Sequence, residues 1–364
     1  MTIKKSGALL SCALIALCVA ACGSSTKTTS GSTSSGSTTV SGAGSTFAAP
    51  VYEQWASALA PGLVVNYQAV GSGAGLTAIE SKTVDFGASD PPLKAADEEA
   101  IAKNGSPAVQ IPMFLGAITV SYNVPGLKTG LKLEGKTIAN IYLGKITTWD
   151  APEIAALNPG VTLPKTAITV THRSDSSGTT SGFTSYLAEE DPEFKTKVGE
   201  GKIVPWPTGT GAKGNAGVAG AIQQTAGAVG YVEQAYALTH NFTVASVKNK
   251  AGTFVEPSLE STSAAGEGVT IPANLGIKVI NSPNPKAYPI TSQTFIVENK
   301  DVCKAGLPGG EKAAKGVAKL LEYGLGEGQA ILSKADYAKL PAAILAKSKE
   351  AAAGLLCNGA ALKG

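Results

Sequence analysis

Apolar and polar positions along the chain predict strands and helices in regular succession. Val51, Trp55 and Leu59 repeat at intervals of four residues, the spacing of the buried stripe of a helix. Segment 63–67, Leu-Val-Val-Asn-Tyr, then predicts a strand. Farther on, the alternating run 167–170 predicts another strand, and a helical stripe at 183, 186 and 187 follows it. This alternation favours an α/β fold, in which helices flank a central sheet.

Two long apolar runs indicate that the chain passes twice between two lobes. The first run is 111–122, and the second consists of 288–291 and 294–297. We expect the lobe boundary near 112 and again near 291. Lobe I then comprises 40–112 and 292–364, and lobe II comprises 113–291. The Ala-, Lys- and Leu-rich segment 311–356 predicts helices that pack back onto lobe I.

Three turns rich in small residues each lie at the start of a predicted helix. Their segments are 42–47 (GAGSTF), 71–75 (GSGAG) and 171–182 (THRSDSSGTTSG). The first amides of a helix have no internal acceptor and lie at the positive end of its dipole, so such turns attract anions. None of the three has the spacing of a nucleotide-binding loop. Three turns of this kind favour one converging anion site over ordinary loops.

The third turn also carries the only arginine of the chain, Arg173, among 29 lysines. A guanidinium group offers a planar fork of donors that fits a carboxylate, sulfate or phosphate. The alternative is a surface arginine beside an ordinary helix cap. Without residues 1–22 the chain has 28 basic and 27 acidic residues. This near balance argues against nucleic-acid binding and requires any anion site to be local.

A carboxylate is predicted at the edge of the same sheet. Segment 84–88 predicts a short strand, and Asp90 follows it directly. Ligands of open α/β sheets bind beyond the carboxyl ends of the strands. An acidic residue beside an anion is favourable only if the anion carries a proton for it to accept. The alternative is that Asp90 only caps a turn before Pro91.

The N-terminus predicts export and anchoring. Residues 1–22 have two lysines, an apolar stretch too short to span a bilayer, and the ending Val-Ala-Ala-Cys. This resembles a bacterial lipoprotein signal in which Cys22 is lipidated and becomes the N-terminus. An ordinary secretory signal without a role for Cys22 is the alternative. Residues 23–39 are nearly all Gly, Ser and Thr, and predict a flexible tether.

Cys303 and Cys357 are the only cysteines after Cys22. In an exported protein such a pair is most simply a disulfide, and two free buried thiols are the alternative. The chain has only two histidines, His172 and His240, which argues against a metal site. We expect no cofactor.

Several of these segments, in the same order, resemble the phosphate-binding proteins of bacterial high-affinity phosphate ABC importers, in the periplasmic-binding-protein superfamily. The similarity covers about 42–345. The motifs that carry it are GAGSTFAAPVYEQW, VGSGAG, VDFGASD, IYLGKITTWD, HRSDSSGTT, GAVGYVE and YPITSQTFIV. The resemblance implies two α/β lobes, each a central sheet flanked by helices, that are joined by two crossing strands and close over one phosphate ion.

The resemblance also implies the ligand set. By motif, the phosphate-binding residues are Ser45, Thr46, Phe47, Ser72, Asp90, Arg173, Ser177, Gly178 and Thr179. Phe47 would act through its backbone amide, Asp90 as an acceptor, and Asp175 would orient Arg173. We assign no role to His172.

The implied function is capture of inorganic phosphate outside the cytoplasm and its delivery to an ABC importer. The partners would be the membrane permease subunits, which work with a cytoplasmic ATPase, and the cell membrane through the lipid anchor. We expect a monomer and no catalytic residues. A binder of sulfate or molybdate is the nearest alternative. A phosphate-ester hydrolase using Ser176 or Ser177, and an adhesion or signalling module, are the others.

Overall fold

The computed structural model describes residues 37–364. Its strands are β1 (Thr38–Gly44), β2 (Leu63–Ala69), β3 (Phe86–Ser89), β4 (Ala108–Asn123), β5 (Lys132–Leu133), β6 (Thr169–Arg173), β7 (Thr210–Ala212), β8 (Ala228–Glu233), β9 (Thr243–Val244), β10 (Ser246–Lys248), β11 (Phe254–Val255), β12 (Thr291–Asn299), β13 (Leu356–Cys357) and β14 (Ala360–Ala361). Its helices are α1 (Ala49–Leu59), α2 (Ser72–Glu80), α3 (Ala95–Ala102), α4 (Gly135–Tyr142), α5 (Pro152–Leu157), α6 (Gly178–Glu190), α7 (Pro192–Lys197), α8 (Gly214–Gln224), α9 (Gln234–Thr239), α10 (Leu259–Gly266), α11 (Gly310–Leu325), α12 (Gly328–Ile331) and α13 (Ala342–Ala353), with a 3₁₀ turn at Leu332–Ala335. The predicted α/β class is confirmed.

One nine-stranded sheet organises these elements, in the order β2-β1-β3-β12-β4-β8-β6-β7, with β9 also paired to β4. The long strand β4 belongs to both halves, because its first part, to Ala117, pairs with β12 and its second part, from Ile118, pairs with β8. The Ile118 amide also donates to the Ile290 carbonyl, 2.8 Å away, just before β12 begins. The chain therefore passes between the halves at two adjacent points.

Aromatic clusters fix the helices on each half. In the first half, Trp55 of α1 packs edge-on against Phe114 of β4, with ring centroids 5.6 Å apart. In the second half, Phe183 of α6 stacks on Tyr231 of β8 at 4.3 Å. Such pairs contribute about 0.5–1.5 kcal/mol beyond the burial of their area. The starts of α1 and α6, which carry two of the predicted anion turns, are thereby held on their strands.

The two ends of the chain depart from the predicted boundaries. The proposed signal peptide, its Cys22 and the tether up to residue 36 lie outside the described residues. Thr38 and Thr39, assigned above to the tether, belong to β1 and pair with Leu63 and Val64 of β2. β-branched threonine suits a strand, and backbone pairing requires no apolar side chain.

The C-terminal segment is helical as predicted but is interrupted. Residues 326–341 separate α11 from α13, apart from α12 and the 3₁₀ turn, and Leu356 lies in a short strand. Cys303 and Cys357 are bonded through their sulfurs, with Cα atoms 4.7 Å apart. Among the helices of residues 37–364, none combines the length and the apolar character that a bilayer crossing needs.

Candidate functional site

Four helix starts meet where the two halves of the sheet face each other. They belong to α1 and α2 in the first half and to α6 and α8 in the second. The Gly73 amide of α2 donates to the Ser176 carbonyl before α6, at 2.9 Å. Across the same junction, Asn215 Nδ2 of α8 lies 2.9 Å from Thr46 Oγ1 before α1. The three turns predicted separately are therefore brought to one place, and all nine predicted ligand residues are buried there.

The first turn is Ser45-Thr46-Phe47, between β1 and α1. Ser45 donates its amide to the Ala88 carbonyl of β3 at 3.1 Å, and its hydroxyl accepts from the Ala48 amide at 3.1 Å. Among residues 37–364, the amides of Thr46 and Phe47 have no hydrogen-bond acceptor. Two amides at a helix start are thus free to bind an anion, as expected for Phe47.

Asp90 lies at the end of β3 and is only 1% exposed, so it is not a surface turn cap. Its Oδ1 accepts from Thr294 Oγ1 at 2.9 Å, and its Oδ2 accepts from Ser72 Oγ at 3.2 Å. Burial raises the pKa of Asp90 to about 6, although hydrogen bonds from Ser45, Thr294 and Ser72 and the charge of Arg173 lower it. Near neutral pH the side chain is mainly a carboxylate, and no charged group among residues 37–364 is in direct contact with it. It can therefore accept a hydrogen bond from a ligand that carries a proton.

Arg173 lies at the end of β6 with its side chain 1% exposed. Its Nε and Nη2 donate to the two oxygens of Asp175, at 2.7 and 2.5 Å, and its Nη1 donates to Thr179 Oγ1 at 3.2 Å. An arginine has five N–H donors, so one remains on each terminal nitrogen. Asp175 thus occupies one edge of the guanidinium fork, and one N–H on each terminal nitrogen remains for an anion. Burial raises the pKa of Asp175, but the hydrogen bonds and charge of Arg173 outweigh burial and hold that pKa below its usual value.

Ser177, Gly178 and Thr179 form the third turn, at the start of α6. Ser177 Oγ accepts from the Thr180 amide at 3.0 Å and caps the helix. A Cβ atom on Gly178 would lie 2.2 Å from Asp90 Oδ2 and 2.4 Å from Ser72 Oγ. Glycine is therefore required because the two halves approach each other closely at this point.

Three further residues, which the sequence pattern does not predict, lie at this site. Asn215 is fully buried and contacts both Thr46 and Thr179. Thr294 of β12 bonds Asp90, and Tyr236 of α9 donates to the Thr46 carbonyl at 2.8 Å. The Gly-rich segment 209–214 before Asn215 was a usable signal for a fourth turn at a helix start. Thr294 and Tyr236 have no comparable local signal, because their contacts depend on distant segments.

The observed contacts of His172 are not with the hydroxyls that a hydrolase would activate. Its ring stacks on Trp206 with centroids 5.2 Å apart, and its Nδ1 lies 3.0 Å from the Arg173 carbonyl oxygen. Within residues 37–364 it makes no hydrogen bond to Ser176 or Ser177. A hydroxyl nucleophile needs an adjacent base within hydrogen-bond reach.

Together these features define a class: two-lobed α/β proteins that bury a small anion between helix starts and one arginine. A family model for the PBP superfamily domain matches residues 28–323. The chain is 41% identical over 314 residues to the phosphate-binding protein PstS of Pasteurella multocida, covering 85% of this chain and 88% of that protein. It is 42% identical to the phosphate-binding protein PstS of Haemophilus influenzae, covering 85% and 91%. The chain belongs to the PstS phosphate-binding protein family of the PBP superfamily.

Solved structures support the same fold. The phosphate-binding protein from Stenotrophomonas maltophilia superposes with a TM-score of 0.69 at 21% identity, covering 90% of this chain and all of that chain. The two-lobed fold predicted from the sequence is confirmed.

Proposed function

We propose that this protein is an extracytoplasmic substrate-binding protein that captures inorganic phosphate and delivers it to an ABC importer. One observation carries the proposal: a buried arginine, Arg173, and a buried carboxylate, Asp90, both lie among helix starts from the two halves of the sheet. The relatives named above, which are phosphate-binding proteins, support it.

In this proposal hydrogen-bond donors stabilise the charge of the anion, although the site has no net excess of positive charge. The anion receives the two remaining N–H groups of Arg173, the amides of Thr46, Phe47, Gly178 and Thr179, and hydroxyl groups of the same turns. Helix starts and one paired arginine then stabilise the anion locally. Such a site needs no basic surface, in accord with the nearly balanced charge of the chain.

Asp90 selects the anion according to whether the anion carries a proton. Phosphate near neutral pH still carries a proton and donates it as a hydrogen bond to the carboxylate, whereas sulfate has no proton. Facing sulfate, the buried carboxylate would meet only lone pairs and like charge. This is discrimination through an unfavourable contact with the wrong ligand.

The two lobes close over the ligand because the ligand binds between them. In this proposal residues up to 117 together with 291–364 form one lobe and 118–290 form the other, because β4 changes its partner from β12 to β8 after Ala117 and not near the expected residue 112. The Gly73–Ser176 hydrogen bond joins the two lobes, and in this proposal it belongs to the closed state. Opening breaks these contacts and exposes the anion to the permease subunits, which is how an importer would receive it.

The proposed role is binding without reaction. Among residues 37–364 the hydroxyls of Ser176 and Ser177 make no hydrogen bond to a carboxylate or an imidazole, and Ser177 Oγ accepts a hydrogen bond from the Thr180 amide as a helix cap. A titration of the purified protein with phosphate, run beside an assay for hydrolysis of a chromogenic phosphate ester, tests this. We expect saturable phosphate binding and no hydrolysis above background. Hydrolysis that Ser177→Ala abolishes would contradict it.

The proposal includes a lipid anchor at Cys22, based on the sequence that ends at that residue. We expect Cys22→Ala to leave the precursor unprocessed or to release the protein from membranes. A variant that is processed normally and still partitions into detergent would refute the anchor and leave phosphate binding untouched.

A further inference from the structure

The side chain of Asn215 connects the two threonines of the proposed ligand set. It lies at the start of α8 and is fully buried. Its Nδ2 lies 2.9 Å from Thr46 Oγ1 and 3.1 Å from Thr179 Oγ1. One amide group thus contacts the first turn of one half of the sheet and the third turn of the other.

The orientation of this amide is determined by its surroundings. The backbone N–H of Glu233 points at the Asn215 side chain, with its nitrogen 2.9 Å from Oδ1. An N–H can only donate, so the atom that it meets must be the amide oxygen. The NH₂ group consequently faces the two threonine hydroxyls and donates to both.

Each hydroxyl receives two hydrogen bonds from groups that can only donate. Thr46 Oγ1 accepts from the Asn215 side chain and also from the Asn215 backbone N–H at 3.3 Å. Thr179 Oγ1 accepts from Asn215 and from Nη1 of Arg173 at 3.2 Å. A hydroxyl has two acceptor sites and one proton, so both oxygens have their acceptor sites filled.

We infer that Asn215 is a positioning residue that fixes the hydroxyls of Thr46 and Thr179 as hydrogen-bond donors to the bound anion. With its acceptor sites filled, each hydroxyl can only direct its proton outward. Among residues 37–364 neither hydroxyl donates to another protein group. Both protons are therefore available to a ligand that accepts, and an anion is such a ligand. The inference rests on the proposed function.

The substitution Asn215→Asp separates this role from simple bridging. A carboxylate has nearly the shape of the amide but only accepts, so it would draw both hydroxyl protons toward itself. The bridge between Thr46 and Thr179 would persist, but both donors would be lost to the anion. Asp also adds a negative charge near the anion. The loss of phosphate affinity caused by Asn215→Asp must therefore be measured a second time in a variant that lacks one of the two hydroxyls.

The experiment measures phosphate affinity for wild type, Asn215→Asp, Thr46→Val and the double variant. Each lost hydrogen bond to a charged ligand costs about 10- to 150-fold in affinity. Asn215→Asp should therefore weaken binding by about 100-fold or more in the wild-type background. In the Thr46→Val background one donor is already gone, so the same substitution should cost at least about tenfold less.

Asn215→Ala provides a second test that does not depend on the folding of the Asp variant. Removing the amide lets each hydroxyl adopt about three staggered orientations. This should weaken phosphate binding about threefold for each hydroxyl, and about tenfold for both together. In the Thr46→Val background the cost should fall to about threefold. If each Asn215 substitution weakens phosphate binding by the same factor in the wild-type and Thr46→Val backgrounds, the inference is wrong. If wild type itself does not bind phosphate, the proposed function fails instead.

Discussion

Gly178→Ala should prevent the two lobes from closing fully, and the structure shows which atoms would stand in the way. The added methyl group would lie 2.2 Å from Asp90 Oδ2, 2.4 Å from Ser72 Oγ and 2.7 Å from Asp90 Cβ. All three atoms belong to the opposite side of the junction. Asp90 is held by hydrogen bonds to Thr294 and Ser72, so its side chain cannot easily turn away. The two turns must therefore stay apart by about 1 Å more than in the structure.

A separation of that size would break the contacts that span the junction. The Gly73–Ser176 and Asn215–Thr46 hydrogen bonds are both 2.9 Å long, and stretched by about 1 Å they would no longer be hydrogen bonds. An anion bound by one turn would likewise lose donors from the other. Losing two charge-assisted bonds costs about 3–6 kcal/mol, or about 10²- to 10⁴-fold in phosphate affinity.

The same substitution should leave the ligand-free fold intact. The φ angle of Gly178 is outside the left-handed region, and alanine is favourable in the first turn of a helix. Calorimetric titration with phosphate measures the loss, and thermal unfolding without phosphate measures the fold. Gly220→Ala is the matched control, because a Cβ there meets no atom within 4 Å. A Gly178→Ala protein that binds phosphate within about threefold of wild type would refute this account of closure.

Three further predictions concern the charged groups and the cysteines. Arg173→Lys keeps the charge but loses the guanidinium fork held by Asp175, so phosphate affinity should fall about 10- to 150-fold; unchanged affinity would remove Arg173 from the site. Because burial raises the pKa of Asp90 to about 6, and only its protonated form can donate to sulfate, sulfate binding should strengthen by up to about tenfold for each unit that the pH falls from 8 toward 6. Asp90→Asn should bind sulfate measurably with little dependence on pH, and a pH-independent sulfate affinity in wild type would contradict this role. Mass spectrometry should find the protein two hydrogens lighter before reduction than after it, and labelling of free thiols at both Cys303 and Cys357 would exclude the bridge.

The sequence was sufficient to predict the elements whose signal is local. The strand before Arg173 and the helix after Ser177 were recognisable from the spacing of apolar residues, and the apolar run 111–122, predicted as a crossing between lobes, lies in β4. The small-residue turns at helix starts have their own chemistry, and Arg173 was conspicuous because it is the only arginine. Each of these signals lies within a few residues of the chain.

What the sequence could not predict depends on contacts between distant segments. Thr294 reaches Asp90 only because β12 returns beside β3 in the sheet. Asn215 matters because it contacts Thr46, 169 positions away. A single sequence contains no signal for such pairings, so the turns of the proposed site were predictable but the contacts that Thr294 and Asn215 make with them were not.

Comparison of three tetrahedral anions shows whether the buried site selects an anion that keeps a proton. Mature, tagless protein is titrated by calorimetry with phosphate, sulfate and arsenate at about pH 8, where Asp90 is ionised. We predict one phosphate bound per chain, weaker binding of arsenate, which also keeps a proton, and no binding of sulfate in large excess. Sulfate binding as tight as phosphate binding would mean that Asp90 does not face the ligand, and the protein would be a general oxyanion binder.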